Sequence, residues 1–268
     1  MTEETDRTQG SGSGELPDHH AVLHGTDWAS VATASGTGEH LPTALVRLVD
    51  PDPLVRQAAL ADALRPVSHQ NSIYPATTPI ALYVAAILGH PALAPDASWS
   101  VRGRATGRPT LLSLLDWLGD TAYDADDQCL ALCELDDSEE LIGGCEDMHA
   151  FRDVRPALFH AVRAFLDHDA VDVRHTALTA ALPLAEHPAL TAHRGELAGH
   201  ARRLLATEAD RLRRDRVLDA LRSWGCDTGG LENAADVEAR RRYAARAAAR
   251  AATAGDWPGE GYSQSPPF

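Results

Sequence analysis

Two stretches of the sequence, "LVDPDPLVRQAAL" (48–60) and "FLDHDAVDVRHTAL" (165–178), share a pattern that decides the fold. Each has two apolar residues, then Asp-x-Asp, then Val-Arg-x-x-Ala-Leu, with one extra residue in the second copy. The alignment pairs Asp50 with Asp167, Asp52 with Asp169, Val55 with Val173, Arg56 with Arg174 and Leu60 with Leu178. Similarity of this kind within one chain is the signature of a repeat array.

The residues around both copies have the periodicity of paired helices. Leu41, Leu45 and Leu48 form one apolar stripe, and a second follows the "DPDP" break over 54–64, so a helical hairpin is expected. Hydrophobic residues make up 44% of the chain and aromatic residues only 5%, which favours packed helices over sheet. The helix pairs we predict are 41–49 with 52–65, 75–89 with 109–122, 152–166 with 170–185, and 195–206 with 208–224.

The repeated residues resemble the HEAT family, especially its short bacterial form. In that family an Asp in the inter-helix turn and a Val-Arg at the start of the second helix recur from unit to unit. The resemblance is clear over 41–66 and 153–185, and "VR" is missing from the other pairs. It implies an all-α fold, a right-handed α-solenoid of about four antiparallel helix pairs. Stacking is also expected physically, because one hairpin cannot bury its own apolar faces.

The ends of the chain differ in composition from the helical region. We expect a disordered acidic tail over 1–18, one HEAT-like domain over 19–254 with an acidic insert around 119–150, and a flexible tail over 255–268. A short N-terminal helix is predicted within "TDWASVATASG" (26–36). An Arg-studded helix over about 231–253 is expected to cap the array, since terminal repeats need a polar outer face.

The loop "SHQNSIYPATTP" (68–79) is unusually polar for a connection between two helices. Four hydrogen-bonding side chains are crowded into it: His69, Gln70, Asn71 and Tyr74. On the structural interpretation Pro75 begins the next helix, Asn71 or Ser72 caps it, and His69 and Gln70 satisfy carbonyls of the preceding helix. The alternative is that the four side chains line a pocket. A similar "HQ…YPAT" stretch occurs in some bacterial HEAT-like proteins, but that resemblance indicates no ligand.

Charge is distributed very unevenly along the chain. The formal net charge is −15, and residues 109–151 contain twelve Asp or Glu and no Lys or Arg. This segment is either a solvated insert or a docking surface for a basic partner. The docking hypothesis is favoured by Trp117 and Tyr123 inside it, because aromatics anchor interface hot spots. Its predicted partner-binding residues are Trp117, Asp120, Tyr123, Asp124, Asp126, Asp127, Asp136, Asp137, Glu139 and Glu140.

Metal binding has two weak candidates in the sequence. The carboxylates of "DTAYDADD" (120–127) lack the spacing and the central glycine of an EF-hand loop. Cys129, Cys133, Cys145 and His149 could be drawn as a zinc set, but C-x₃-C is less typical than the usual tight pair and suits small buried side chains on a helix. We therefore predict neither a metal nor a cofactor, and reduced thiols throughout.

Catalytic and nucleic-acid functions receive less support. The thirteen histidines form no H-E-x-x-H motif, and neither G-x-S-x-G nor a glycine-rich phosphate loop occurs. Arginines cluster over 211–216 and 239–250, but Asp210, Asp215 and Asp219 lie within a turn or so of the first cluster. The net negative charge also opposes binding to phosphates.

These observations favour a protein-binding solenoid with no dedicated catalytic site. An acidic N-terminus and the lack of a long apolar run indicate a soluble, cytoplasmic protein without a membrane partner. By analogy with small bacterial HEAT-like proteins, an inhibitor, immunity-type or adaptor role toward a basic partner is expected. The alternative is an enzyme or enzyme accessory, such as a HEAT-like lyase, chaperone or DNA glycosylase. Its pocket would combine Trp117, Tyr123 and Asp124 with the polar loop.

Overall fold

The computed structural model describes residues 16–94, 108–135 and 145–254, which are mostly α-helical. The helices are α1 (His19–Gly25), α2 (Leu41–Val46), α3 (Pro53–Leu64), α4 (Thr77–Ile87), α5 (Thr110–Asp124), α6 (Asp127–Leu135), α7 (Cys145–Arg163), α8 (Val171–Leu184), α9 (Arg194–Leu205), α10 (Arg211–Ser223) and α11 (Ala234–Ala254). The all-α prediction is confirmed. The chain divides into two compact units, Met1–Leu204 and Leu205–Phe268.

Helices of the first unit contact one another both within the predicted pairs and between neighbouring pairs. Helix α2 packs on α3, α4 on α5, and α7 on α8, which are the first three predicted pairs. Along the unit α3 contacts α5 and α5 contacts α8, while α4 contacts α7. The closest approach is at Gly119 of α5, where an added Cβ would lie 2.9 Å from the Cα of Ala180 in α8. A residue without a side chain therefore lets these two helices meet.

The two arginines of the sequence repeat, Arg56 and Arg174, make equivalent hydrogen bonds. One guanidinium nitrogen of Arg56 donates to the carbonyls of Asp50 and Pro51, at 2.6 and 3.0 Å. Arg174 donates in the same way to the carbonyls of His168 and Asp169, at 2.6 and 2.8 Å. Each arginine therefore closes the turn that precedes the helix to which it belongs. The internal repeat is thus present in three dimensions as well as in the sequence.

The register of that repeat differs from the sequence alignment by one residue. Asp50 Oδ1 accepts from the N–H two residues later, at Asp52, and His168 Nδ1 accepts likewise from Ala170. Counted back from the arginines, His168 rather than Asp167 therefore occupies the place of Asp50. The copies need no inserted residue, because an imidazole replaces the carboxylate as acceptor in the turn.

A second internal repeat, which was not predicted, follows α4 and α8. "HPAL" occurs at 90–93 and again at 187–190. In each copy the histidine Nδ1 accepts from the N–H two residues later, at 3.2 Å, and opens a short 3₁₀ helix. The leucines of both copies, Leu93 and Leu190, are buried. The motif therefore ends two different helices in the same way.

The predicted helix over 26–36 is wrong. Helix α1 lies earlier and ends at Gly25, and the following residues form a short hairpin of β1 (Ala32–Thr33) and β2 (Gly36–Thr37). The N–H of Ala34 donates to the Pro66 carbonyl, and the N–H of Ala76 donates to that of Ala32. The conformation of this segment is thus determined by hydrogen bonds to backbone groups that are distant in sequence. Local helix propensity does not take such bonds into account.

The second unit contains α10 and α11, which are joined by a buried ion pair. The Arg214 guanidinium contacts the Asp236 carboxylate at 2.6 Å, and both side chains are almost inaccessible. Arg214 also donates to three backbone carbonyls, those of Leu205, Glu208 and Leu231. Its hydrogen-bonding capacity is consequently well used. Helix α11 matches the predicted final helix.

No helix within the described residues has both the length and the apolar character needed to cross a membrane.

Candidate functional site

The last turns of α5 present an exposed tyrosine between carboxylates. Asp120, Tyr123 and Asp124 lie at helical positions i, i+3 and i+4, so they share one face. Asp120 is exposed, Tyr123 is 42% exposed and Asp124 is half-buried. Asp126, also half-buried, follows at the turn into α6. We call these four residues the acidic surface.

Trp117, the other aromatic of the predicted docking set, lies in the core. It is only 8% exposed, and its indole N–H donates to Ser68 Oγ at 2.8 Å. Ser68 Oγ in turn donates to the Leu64 carbonyl at the end of α3. Trp117 therefore links α5 to the beginning of the polar loop, and Tyr123 is the aromatic residue of the acidic segment that solvent reaches.

Asp127 belongs to an internal ion cluster as well as to the predicted set. Its carboxylate contacts Arg152 at 2.5 Å and Arg155 at 3.3 Å, and its N–H donates to Glu186. The Arg155 side chain is wholly buried, and burial lowers its pKa and raises the pKa of Glu186. Asp127 thus offsets a buried positive charge, so its own charge is already engaged within the molecule.

The remaining carboxylates of the predicted set divide into two groups. Asp126 Oδ1 accepts from the N–H of Cys129 at 2.7 Å and so satisfies the first turn of α6. Four others lie outside the described residues: Asp136, Asp137, Glu139 and Glu140. The described part of the predicted site is therefore centred on the end of α5.

The expectation of reduced thiols is wrong for two of the four cysteines. Cys133 and Cys145 form a disulfide that joins α6 to the first residue of α7, with Cα atoms 5.8 Å apart. Cys129 is a free thiol, and burial, with Asp126 nearby, raises its pKa to about 11. His149 contacts Glu134 at 3.3 Å. The disulfide therefore removes two of the four hypothetical zinc ligands. The described residues contain no cluster suited to a metal.

The polar loop is anchored by residues other than those predicted. Ser68, not His69 or Gln70, bonds the carbonyl of the preceding helix. Helix α4 begins at Thr77, whose hydroxyl accepts from the N–H of Tyr74, so neither Asn71 nor Ser72 caps it. Tyr74 is buried and donates to the His69 carbonyl. The loop connects α3 to α4, and the hydrogen bonds that hold it come from Ser68, Tyr74 and Thr77.

The exposed part of the loop borders a cleft of about 830 Å³. One wall is the β1–β2 hairpin, and the others are one face of α2 and the end of α3. The polar side chains that line it are Ser35, His40, Thr43, Arg47, Asp62, Arg65 and His69. Of the predicted pocket residues, His69 lies on this cleft, Gln70 and Asn71 are its exposed neighbours in the chain, and Tyr74 is buried.

The spacing of polar residues in the sequence indicates part of this cleft. His40, Thr43 and Arg47 are spaced i, i+3 and i+7, which gives one polar face on the first helix of the hairpin. Asp62 and Arg65 are spaced i and i+3 on the second helix. Two polar faces on paired helices indicate a lined groove, but only the hairpin wall at 32–37 turns that groove into a cleft.

Arginines of the second unit are largely balanced by neighbouring acids. Arg211 contacts Asp215 at 3.1 Å and Arg222 contacts Asp219 at 2.7 Å. Asp210 instead accepts from the backbone N–H of Arg213 and begins α10. These contacts support the interpretation of the arginine-rich stretch as a charged helix face.

Comparisons of the chain with models of known protein families, with curated proteins and with solved structures found no match.

Proposed function

We propose that the protein is a HEAT-like, protein-binding solenoid that docks a basic partner through the acidic surface. The observation that carries the proposal is the exposed Tyr123 between Asp120 and Asp124 on one helical face. Tyrosine has a large rigid ring with a polar tip, and such residues dominate interface energetics. Flanking carboxylates add charge complementarity to a cationic patch, which accelerates association and disfavours wrong partners.

The helix contacts of the first unit support the solenoid part of the proposal. In a stack of hairpins, first helices should contact first helices and second helices should contact second helices. The contacts of α4 with α7, of α3 with α5 and of α5 with α8 follow this rule. The turn-closing arginines Arg56 and Arg174 support the same interpretation, because they occupy equivalent places in two hairpins.

The biological role we infer is that of an inhibitor, immunity-type or adaptor protein in the cytoplasm. The acidic segment concentrates twelve of the 39 acidic residues, so the field that a basic partner meets is locally strong. Screening should weaken it, since the Debye length is about 8 Å at physiological salt. Salt-sensitive capture of a basic partner is therefore expected.

Affinity capture from lysate of the source cells at low and high salt, with mass spectrometry of the retained proteins, tests the proposal. Wild type is compared with Tyr123→Ala and with the double variant Asp120→Asn/Asp124→Asn. The control is Asp169→Asn/Asp172→Asn, which removes the same charge from exposed positions at the start of α8. We expect a basic protein to be retained by wild type and control at low salt, and at least tenfold less by both surface variants.

Two outcomes would contradict the proposal. A partner retained equally by the surface variants would place docking elsewhere on the chain, and the absence of any salt-sensitive basic partner would refute the inhibitor role. Melting temperatures of all variants accompany the capture, so that an unfolded variant is not mistaken for a variant that fails to bind.

A further inference from the structure

The cleft beside the polar loop differs in charge from the rest of the molecule. Two arginines, Arg47 and Arg65, and one acid, Asp62, line it, so its formal charge is +1 on a chain of −15. Arg47 contacts Asp62 at 3.3 Å, which leaves Arg65 as the excess charge. Within the described residues Arg65 makes no ion pair. Cationic groups in a concave site concentrate anions more strongly than the same groups on a convex surface.

Hydrogen-bonding groups surround that charge. His40 and His69 approach from two different walls, and Ser35 and Thr43 add hydroxyl groups. A neutral imidazole always has one N–H to donate, and a hydroxyl can donate or accept. Small apolar residues complete the lining: Ala34, Ala44, Ala61 and Pro66. A few convergent polar groups on an otherwise small apolar lining are typical of ligand sites, and about 830 Å³ falls in their usual size range of roughly 300–1,000 Å³.

The walls of the cleft are held in place by bonds between segments distant in sequence. The N–H of Ala34 in the hairpin donates to the carbonyl of Pro66 at 2.8 Å. The N–H of Ala76 donates to the carbonyl of Ala32 at 3.1 Å. The hairpin wall is therefore fixed both just before the polar loop, at Pro66, and within it, at Ala76, and the cleft exists before any ligand enters. A preformed site loses less entropy on binding.

Backbone strain marks the rim of the same cleft. Gln70 and Asn71, directly after His69, have φ values of +54° and +56°. Two consecutive non-glycine residues in the left-handed region are costly, and such strain concentrates at functional sites. Of the four predicted pocket residues, only His69 lines the cleft, and the strained pair follows it directly in the chain. The strain therefore lies where the backbone positions His69 at the cleft.

We propose that this cleft binds the oxyanion group of a small metabolite, a phosphate ester or a carboxylate, with Arg65 as its charge partner. The planar guanidinium can donate two parallel hydrogen bonds to either group. His40 and His69 donate further bonds from the walls, and the alanines contact the body of the ligand. The site shares no residue with the acidic surface, so small-molecule binding and protein docking are tested separately.

Nuclear magnetic resonance titration of the full chain at constant ionic strength tests the site. The probes are inorganic phosphate, followed by its ³¹P line width, and succinate, followed by saturation transfer, with glycerol as the neutral control. We expect saturable binding of at least one anion and none of glycerol. Arg65→Gln should weaken that binding at least tenfold. Arg241→Gln, the same change at an exposed position on α11, should leave it unaltered.

The two anions separate the possible ligand classes. Saturation by phosphate alone supports a phosphate ester, by succinate alone a carboxylate, and by both an oxyanion site without preference. Binding of neither anion, or equal binding by Arg65→Gln and wild type, overturns the proposal. A His69→Ala variant provides an independent check, because His69 is exposed and its loss should reduce anion affinity several-fold while the melting temperature stays the same.

Discussion

Arg214 and Arg155 show how differently a buried arginine can be accommodated. Arg214 bonds Asp236 and three backbone carbonyls, whereas the Nε and Nη2 groups of Arg155 find no acceptor within the described residues. A buried guanidinium that loses its carboxylate becomes an uncompensated charge, which costs about 3–5 kcal/mol. Asp236 also closes a capping box, since it and Asn233 accept each other's backbone N–H at the start of α11.

We expect Asp236→Asn to lower the free energy of unfolding of the second unit by about 3 kcal/mol, because the carbonyl oxygen can still cap while the charge is lost. Denaturant unfolding, with hydrogen exchange of α10 and α11, measures the effect. Asp215→Asn is the matched control: its pair with Arg211 is partly exposed, so a loss below about 1 kcal/mol is expected. Equal losses in both variants would contradict the special role of the buried pair.

The acid response of the same pair has a definite sign. The Arg214 hydrogen bonds hold the pKa of Asp236 below its usual range. The pair therefore stabilises the fold above the unfolded-state pKa of about 3.9, and that contribution disappears as the pH falls through the folded value. Wild type and Asp236→Asn should consequently converge in stability in strong acid.

At the scale of the element, most helices followed from the sequence and the short elements did not. Helices such as α3 and α8 are long, periodic and opened by a recognisable turn, so local pattern was sufficient. The β1–β2 hairpin depends on bonds to Pro66 and to Ala76, which no local window contains. The Cys133–Cys145 bond was missed for a related reason, because cysteine spacing does not state which thiols approach one another.

The same limit applies to the candidate sites. Tyr123, Asp120 and Asp124 could be placed on one face from the sequence because a single helix, α5, contains all three. The cleft was missed because its lining comes from a hairpin, two helices and a loop, and only His69 was identified from local polarity. Trp117 was assigned to docking because an aromatic residue beside acids can be a core residue or an anchor, and sequence alone does not separate the two.

Packing between α5 and α8 predicts the effect of a single methyl group. In Gly119→Ala the new Cβ would lie 2.9 Å from the Cα of Ala180, a backbone atom that has no freedom to yield. Overpacking costs roughly 1–3 kcal/mol, against about 1 kcal/mol gained from the better helix propensity of alanine. We therefore expect a net loss of up to about 2 kcal/mol in unfolding free energy, measured by urea denaturation.

A second glycine is the control for that prediction. Gly199 lies inside α9, and an added Cβ there meets only the flexible end of Arg203 at 3.8 Å. Gly199→Ala should therefore be neutral or stabilising by up to about 1 kcal/mol. If Gly119→Ala behaved like Gly199→Ala, the close contact of α5 with α8 would be wrong.

At the scale of the whole molecule, two effects oppose each other when the protein is acidified. Lowering the pH reduces the net charge of −15, which relieves self-repulsion and should stabilise the fold. Burial, however, lowers the pKa values of His19, His187 and His200. A histidine kept neutral by the fold is protonated first in the unfolded chain, so its protonation favours unfolding below about pH 6.5.

His187 shows which effect should dominate. Its Nδ1 must be unprotonated to accept from the N–H of Ala189, and burial, followed by Arg152 and Arg155, lowers its pKa while Asp153 and Asp127 act in the opposite sense. Such short-range effects are less screened than the diffuse repulsion among surface acids. We therefore expect the first unit to be less stable at pH 5.5 than at pH 7.5, as measured by urea denaturation at both values.

Two substitutions separate the charge of His187 from its hydrogen bond. His187→Asn keeps an acceptor for the N–H of Ala189 and does not titrate, so it should reduce the pH dependence with little loss at pH 7.5. His187→Ala should show the same reduced dependence but be about 1 kcal/mol less stable than His187→Asn at both pH values, because the cap is gone. If His187→Asn kept the full wild-type dependence, the acid sensitivity would have to come from His19, His200 or the carboxylates, and "HPAL" would be a structural motif alone.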